Sequence, residues 1–242
     1  MTAPHDHRLE QALRDLTAAL TATGASWMVI GGIAVIARGV RRFTADIDAA
    51  IRGDEIEIPE LLKALRKKRI VPRVSDAVEL ARTNLVLLLR HDPTGVDFDV
   101  SFAWTSFEHD AIAASSVEAF GAVRAPMAQP DDLIVFKSIA GRGRDLDDAV
   151  ALLTLYPNID LRRVRARVRE LAAAAEVPEL AAGLETAIAA AKKSRSAPTT
   201  KSRTAKPRNT KSPKAKPAKR TLPTSTPRKR AAPSRSKRSK KR

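Results

Sequence analysis

The chain has 242 residues and a formal net charge of +17, but residues 192–242 alone hold 21 of its 44 Lys and Arg and no Asp or Glu. Residues 1–191 are left with 23 basic and 27 acidic side chains, so the basicity belongs to an arm and the body is slightly acidic. With no cysteine, disulfides, zinc–thiolate sites, iron–sulfur ligation and thiol nucleophiles are excluded. No apolar run approaches the roughly 18–20 residues of a membrane span, and the N-terminal MTAPHDHRLEQ lacks a signal peptide's apolar stretch, which together predict a cytoplasmic protein with no membrane part.

Residues 5–23 read as an amphipathic helix, with Leu9, Leu13, Leu16 and Leu20 at three- and four-residue spacing and Gly24 as its stop. The apolar run Trp27-Met28-Val29-Ile30 suits a buried strand; it leads through Gly31-Gly32 into a short helix over 33–38, and 47–51 is a second strand. Pro59 fits the first position of a helix running to about residue 68. Residues 85–90 and 96–102 read as a hairpin joined by His91-Asp92-Pro93-Thr94-Gly95. A helix follows over 106–114, then one or two short strands around Gly121 within 117–125. The rest of the body is helical: 130–140, 146–155, 161–174 with Asp160 as its N-cap, and 179–191. Strands crowd the first two-thirds of the body and helices the last third, which predicts an α+β fold with a small mixed sheet. Trp27 and Trp104 are expected to pack. The four histidines show no metal-ligand spacing, and Ser101 has no histidine near it in sequence, so no triad is read.

The sharpest chemical signal is Gly31-Gly32 after a strand, followed by Arg42-Phe43-Thr44-Ala45-Asp46-Ile47-Asp48. Two positions apart in a strand, Asp46 and Asp48 point the same way, with Ile47 inward, at a separation of about 7 Å. Two like charges so placed repel, and a hard divalent cation such as Mg²⁺ (or Mn²⁺) would offset that repulsion. Asp97 and Asp99 repeat the pattern in Val96-Asp97-Phe98-Asp99-Val100. If that strand lies beside the first, three carboxylates converge, an arrangement that can clamp the attacking and leaving oxygens of a phosphoryl displacement. The Gly-Gly turn offers N–H groups to a triphosphate at a helix start. Arg38, Arg41 and Arg42 stand ready to hold phosphate, or are surface charges.

The spacing from Gly31-Gly32 to Thr44-x-Asp46-x-Asp48 resembles the signature of the DNA polymerase β-like nucleotidyltransferase superfamily, and in particular its AbiEii-type toxin members and their minimal relatives. Val96 to Trp104, with Phe107-Glu108 after it, resembles the segment that supplies the third carboxylate, a role assigned to Asp99 ahead of Asp97. Pro130 to Lys137, followed by Arg144-Asp145-x-x-Asp148, resembles the later motif in which a helical lysine faces the nucleotide phosphates. The resemblance implies a metal-dependent enzyme that moves a nucleoside monophosphate from an NTP to an acceptor hydroxyl, an RNA such as a tRNA, within a toxin–antitoxin system. It assigns metal binding and catalysis to Asp46, Asp48 and Asp99, nucleotide binding to Gly31, Gly32, Arg42, Thr44 and Lys137, and a supporting part to Arg144, Asp145 and Asp148. Gly32 departs from the commoner Gly-Ser, and a serine there would contact phosphate.

The reading divides the chain into a nucleotidyltransferase domain (1–155), a helical extension (156–191) and a disordered tail (192–242). The tail is built mainly from Lys, Arg, Pro, Ser, Thr and Ala, with one Leu and no aromatic, too polar to bury a core. Its Ser212-Pro213-Lys214 and Thr226-Pro227-Arg228 segments resemble linker-histone-like tails. It predicts salt-sensitive, poorly specific nucleic-acid binding without base stacking, and with it an association with the nucleoid. The alternatives are a non-catalytic nucleic-acid-binding protein that uses the tail, and an antitoxin-like partner that adenylylates a protein.

Overall fold

A computed structural model describes residues 7–177 and 179–196. The first helix, α1 (His7–Thr21), buries Leu9, Leu13, Leu16 and Leu20 as its spacing requires, and Gly24 beyond it takes a left-handed φ of 78°. Next come β1 (Trp27–Ile30), α2 (Gly31–Ala37), β2 (Asp46–Arg52), α3 (Ile58–Arg66), β3 (Ile70–Pro72), α4 (Ala77–Asn84), β4 (Val86–His91) and β5 (Val96–Ala103). The chain continues through α5 (Ser106–Ala114), β6 (Ser116–Phe120), β7 (Val123–Met127), α6 (Pro130–Ala140), α7 (Gly143–Leu155), α8 (Leu161–Ala174) and α9 (Leu180–Ser196).

The strands form one mixed sheet in the order β3-β4-β5-β2-β1-β7-β6. The expected hairpin is β4–β5, antiparallel from His91 opposite Val96 to Val86 opposite Ser101. Its partner on the other side is β2, which runs parallel to β5 and antiparallel to β1. Parallel neighbours need a long crossover, and here α3, β3, α4 and β4 fill the chain between them. The inward residues of the two central strands, Ile47, Ile51, Phe98 and Val100, are fully buried. Burial of one such side chain contributes about 1.5–3 kcal/mol. Helices α1 and α3 pack together, α2 packs on β1, β2 and α6, and α6 to α9 pack on one another. Asp160 caps α8 by accepting from the Arg162 and Arg163 N–H groups. Thr105 and Glu108 form a reciprocal capping box on α5, so Glu108 serves the helix and not the site.

Three differences from the sequence reading have local causes. β3 and α4 went unpredicted: β3 has three residues and includes Pro72, and α4 buries only two alanines, Ala77 and Ala81. Helix α7 starts at Gly143, not 146, which brings Asp145 into its first turn. Helix α9 runs through Ser196, five residues into the segment assigned to the tail, while the rest of that assignment lies outside the described residues. Trp27 packs as expected, but Trp104 is 64% exposed. Among the described residues no helix is long and apolar enough to cross a membrane.

Candidate active site

The site forms where β1 ends, β2 begins and β5 passes beside it. Asp46 stands opposite Asp97 and Asp48 opposite Asp99 in the parallel register of β2 and β5. Paired residues of adjacent strands share a face, and strands lie about 4.8 Å apart, so four carboxylates occupy one small area. Buried Ile47 and Phe98 alternate with them and anchor the two strands from the other face.

Gly31 and Gly32 turn the chain from β1 into α2 directly against these carboxylates. Gly31 has φ +61°, and a Cβ there would sit 1.8 Å from Asp48 Oδ2. At Gly32 a Cβ would meet Thr44 Oγ1 at 2.4 Å. The second glycine is therefore imposed by Thr44, which explains the departure from Gly-Ser: a serine would collide with the buried threonine. Thr44 in turn donates from Oγ1 to Asp46 Oδ1 at 2.8 Å and orients that carboxylate.

Gly32, Arg42, Thr44, Asp46, Asp48, Asp99, Lys137, Arg144 and Asp145 line one polar cleft of about 250 Å³, together with Arg142. The sequence reading thus assembles in one place, with Gly31 against Asp48 and Asp148 behind the cleft wall. Lys137, on α6, is buried and donates from Nζ to Asp145 Oδ1 at 2.7 Å, with Asp148 Oδ2 at 3.1 Å. Arg42 is also ion-paired to Asp148. Arg142 Nε donates to Asp145 Oδ2 at 2.7 Å. Asp145 and Asp148 hold cations at the cleft edge, which is a more direct role than favouring a helix start. Burial alone would raise the Asp145 pKa, but the hydrogen bonds from Lys137 and Arg142 hold it below the usual carboxylate range.

Asp48 behaves oppositely. Burial, then the charges of Asp46 and Asp99, push its pKa up to about 6, against the opposing pull of Lys137 and a hydrogen bond from the Gly32 backbone. The part of that shift due to Asp46 and Asp99 is repulsion that a divalent cation would relieve, and oxygen donors of this kind suit Mg²⁺ or Mn²⁺. Among the described residues, however, no three Asp, Glu or His side chains close around one point as a ready-made metal cage. The Asp99 carboxylate is ion-paired to Arg73. Asp97 is held by Arg90, with bonds of 2.7 and 3.1 Å, so it is the less available of the two β5 carboxylates.

Arg73 and Arg142 escaped the sequence reading. Arg142 sits in the Gly141-Arg142-Gly143-Arg144 run just after the Lys137 helix, a signal open to reading; Arg73 lies 26 residues from its partner and has none. Arg38 proves not to face phosphate. It ties α2 to the β6–β7 hairpin through Glu118, Ser116 and the Met127 and Ala128 carbonyls. A separate apolar hollow of about 180 Å³ under Trp104, Phe107 and Phe136 holds no comparable set of charges.

A glycine turn against paired strand carboxylates, with a lysine and arginines opposite, is the arrangement that the resemblance to nucleotidyltransferases implies, and the class follows from the family match. The chain belongs to the family described as nucleotidyltransferase of unknown function (DUF6036), which it matches over residues 7–182. The fold has a counterpart in a solved structure. The antibiotic-resistance factor ANT(2'')-Ia is 17% identical, with a TM-score of 0.50 over 70% of this chain and 95% of that one. An antigenic nucleotidyltransferase-like protein from Paracoccidioides brasiliensis is 16% identical, with a TM-score of 0.44 over 75% and 94%. JHP933 from Helicobacter pylori is 14% identical, with a TM-score of 0.41 over 80% and 94%. No curated protein matches the sequence.

Proposed function

We propose that this nucleotidyltransferase is metal-dependent and transfers a nucleoside monophosphate from an NTP to a hydroxyl of an RNA, such as a tRNA, as a component of a toxin–antitoxin system. The observation that carries the metal-dependent reading is the register of β2 and β5, which sets Asp48 beside Asp99 with Asp46 next in line. Asp46, Asp48 and Asp99 would hold Mg²⁺ or Mn²⁺, which supplies charge neutralisation at the α-phosphate and the departing pyrophosphate.

The chain's own residues do the rest. The Gly31–Gly32 turn lets the triphosphate approach the backbone closely. Lys137, Arg42 and Arg142 counter the charge that develops on the phosphates. Asp99 accepts the proton of the acceptor hydroxyl as its oxygen bonds to the α-phosphorus and the bond to pyrophosphate breaks. The RNA acceptor is supported by the composition of residues 192–242, which would concentrate polyanions near the body. The toxin–antitoxin setting rests on the AbiEii-type resemblance of the Gly31–Asp48 segment.

The test supplies each α-labelled NTP with total cellular RNA, intact or periodate-oxidised. Label in intact RNA and none after oxidation supports a 3′-terminal acceptor. Label in protein only, or none, overturns the RNA reading.

A further inference from the structure

A second polar hollow, of about 430 Å³, adjoins the cleft and shares Asp46 and Asp99 with it. The same carboxylates are therefore open from two sides. Arg8 and Arg73 line the second hollow. The Arg73 backbone is fixed just beyond β3 by a bond from its N–H to the Leu88 carbonyl at 3.0 Å. Its guanidinium reaches across β4 to β5, where Nη2 pairs with Asp99 Oδ1 and Nη1 lies 3.7 Å from Asp97 Oδ2.

Asp97 does not depend on Arg73, because Arg90 already holds it through two bonds. Asp99 is the carboxylate that Arg73 occupies. The Arg73 and Asp99 side chains are 32% and 45% exposed, and ion pairs this open contribute about 0–1 kcal/mol. A divalent cation attracted by three carboxylates would compete well with one guanidinium on such a pair.

We propose that Arg73 is a two-position cation: it rests on Asp99 while the metal is absent and, once the metal takes Asp99, binds a phosphate of an anionic acceptor in the second hollow. The proposal rests on the metal-dependent reading above and deepens it by naming the side chain that would hold the acceptor's phosphate. A guanidinium serves carboxylate and phosphate with the same fork of donors, so both positions are chemically satisfied. Metal and acceptor each favour the released position, so each raises the other's affinity. A polycationic acceptor would instead meet repulsion from Arg8 and the freed Arg73.

The test uses the full chain, with Mn²⁺ as the metal and a 5′-phosphorylated diuridylate as the acceptor probe. Arg73→Gln binds Mn²⁺ about tenfold more tightly than wild type, since a positive charge beside the site is gone; Arg73→Lys moves the affinity back toward wild type. Mn²⁺ tightens probe binding in wild type but not in Arg73→Gln or in Asp99→Asn, whose identical residues 192–242 supply the background. Thermal melts check that the variants are folded. Equal Mn²⁺ affinity in wild type and Arg73→Gln, or equal Mn²⁺-dependence of probe binding in all three proteins, overturns the two-position role and leaves the metal site standing. Failure of every variant to bind Mn²⁺, with or without ATP, overturns both.

Discussion

Asp48 and Asp99 face each other across the parallel ladder of β2 and β5, and the charge of Asp99 helps to keep Asp48 from ionising freely. The same crowding that makes the pair a cation site makes it a burden on the metal-free fold. The Asp48 pKa is raised from 3.8 to about 6 in the folded chain. Its contribution to stability is therefore fully present below pH 4 and lost as pH rises through about 6. Asp48→Asn is expected to melt later than wild type at pH 7.5 in a chelator, by roughly 2 kcal/mol, while abolishing transfer. The advantage should close at pH 4. A variant less stable than wild type at pH 7.5 contradicts this account of the pair.

The two glycines fail for different reasons when replaced. Gly31→Ala combines a left-handed φ with a Cβ 1.8 Å from the Asp48 carboxylate, so it should lose at least about 2 kcal/mol and transfer as well. Gly32→Ser meets Thr44 Oγ1 at 2.4 Å. Thr44→Ala removes the Oγ1 contact but keeps the Thr44 Cβ, 2.8 Å from the added one, so the double variant should recover only part of the stability that Gly32→Ser loses. Denaturant melts of the four proteins give the coupling.

Lys137, Arg42, Asp145 and Asp148 form a charge cluster with little solvent access. Removing one member of such a cluster leaves an uncompensated charge, at a cost of about 3–5 kcal/mol. Asp148→Ala takes Arg42's carboxylate partner away and leaves Lys137 with Asp145 alone, so it should be strongly destabilising. Lys137→Met leaves Asp145 its bond from Arg142, and should cost less stability while lowering transfer. Urea melts beside transfer rates separate the two effects.

Asp132 offers a pH test away from the site. It is buried in the first turn of α6, and among the described residues Oδ2 has no hydrogen-bond partner. Burial and then Asp131 raise its pKa to about 6. Its stabilising contribution is complete below pH 4 and lost as pH climbs through about 6, so Asp132→Asn should gain on wild type over that window. The expected gain is roughly 1–2 kcal/mol at pH 8, allowing for solvent screening. Melting temperatures of both proteins from pH 4 to 8 check it; parallel curves would contradict it.

Much of the site was legible because its signals are local. Asp46 and Asp48 are two apart in a strand, the glycines sit at a strand end, and the apolar positions between the carboxylates mark the buried face. The adjacency of β2 and β5 was only a condition in the sequence and became a fact with the sheet order. What stayed hidden depends on contacts between distant segments. Arg73 meets Asp99 over β4, Arg38 clamps the β6–β7 hairpin, and Asp145 and Asp148 find Lys137 and Arg42 rather than solvent. Short β3 and alanine-faced α4 carry too few apolar side chains to show a period. The disorder and nucleic-acid binding were read from residues 192–242, and all but 192–196, which end α9, fall outside the described residues.

The central claim is that Asp48 and its neighbours are the catalytic carboxylates of a metal-dependent nucleotidyltransferase. The most direct measurement is the rate of transfer of α-label from each NTP, with Mg²⁺ or Mn²⁺ and cellular RNA, by wild type and by folded Asp48→Asn. The account predicts metal-dependent labelling by wild type that falls by at least about a thousandfold in the variant. Labelling that persists in Asp48→Asn, or proceeds unchanged in a chelator, would contradict it.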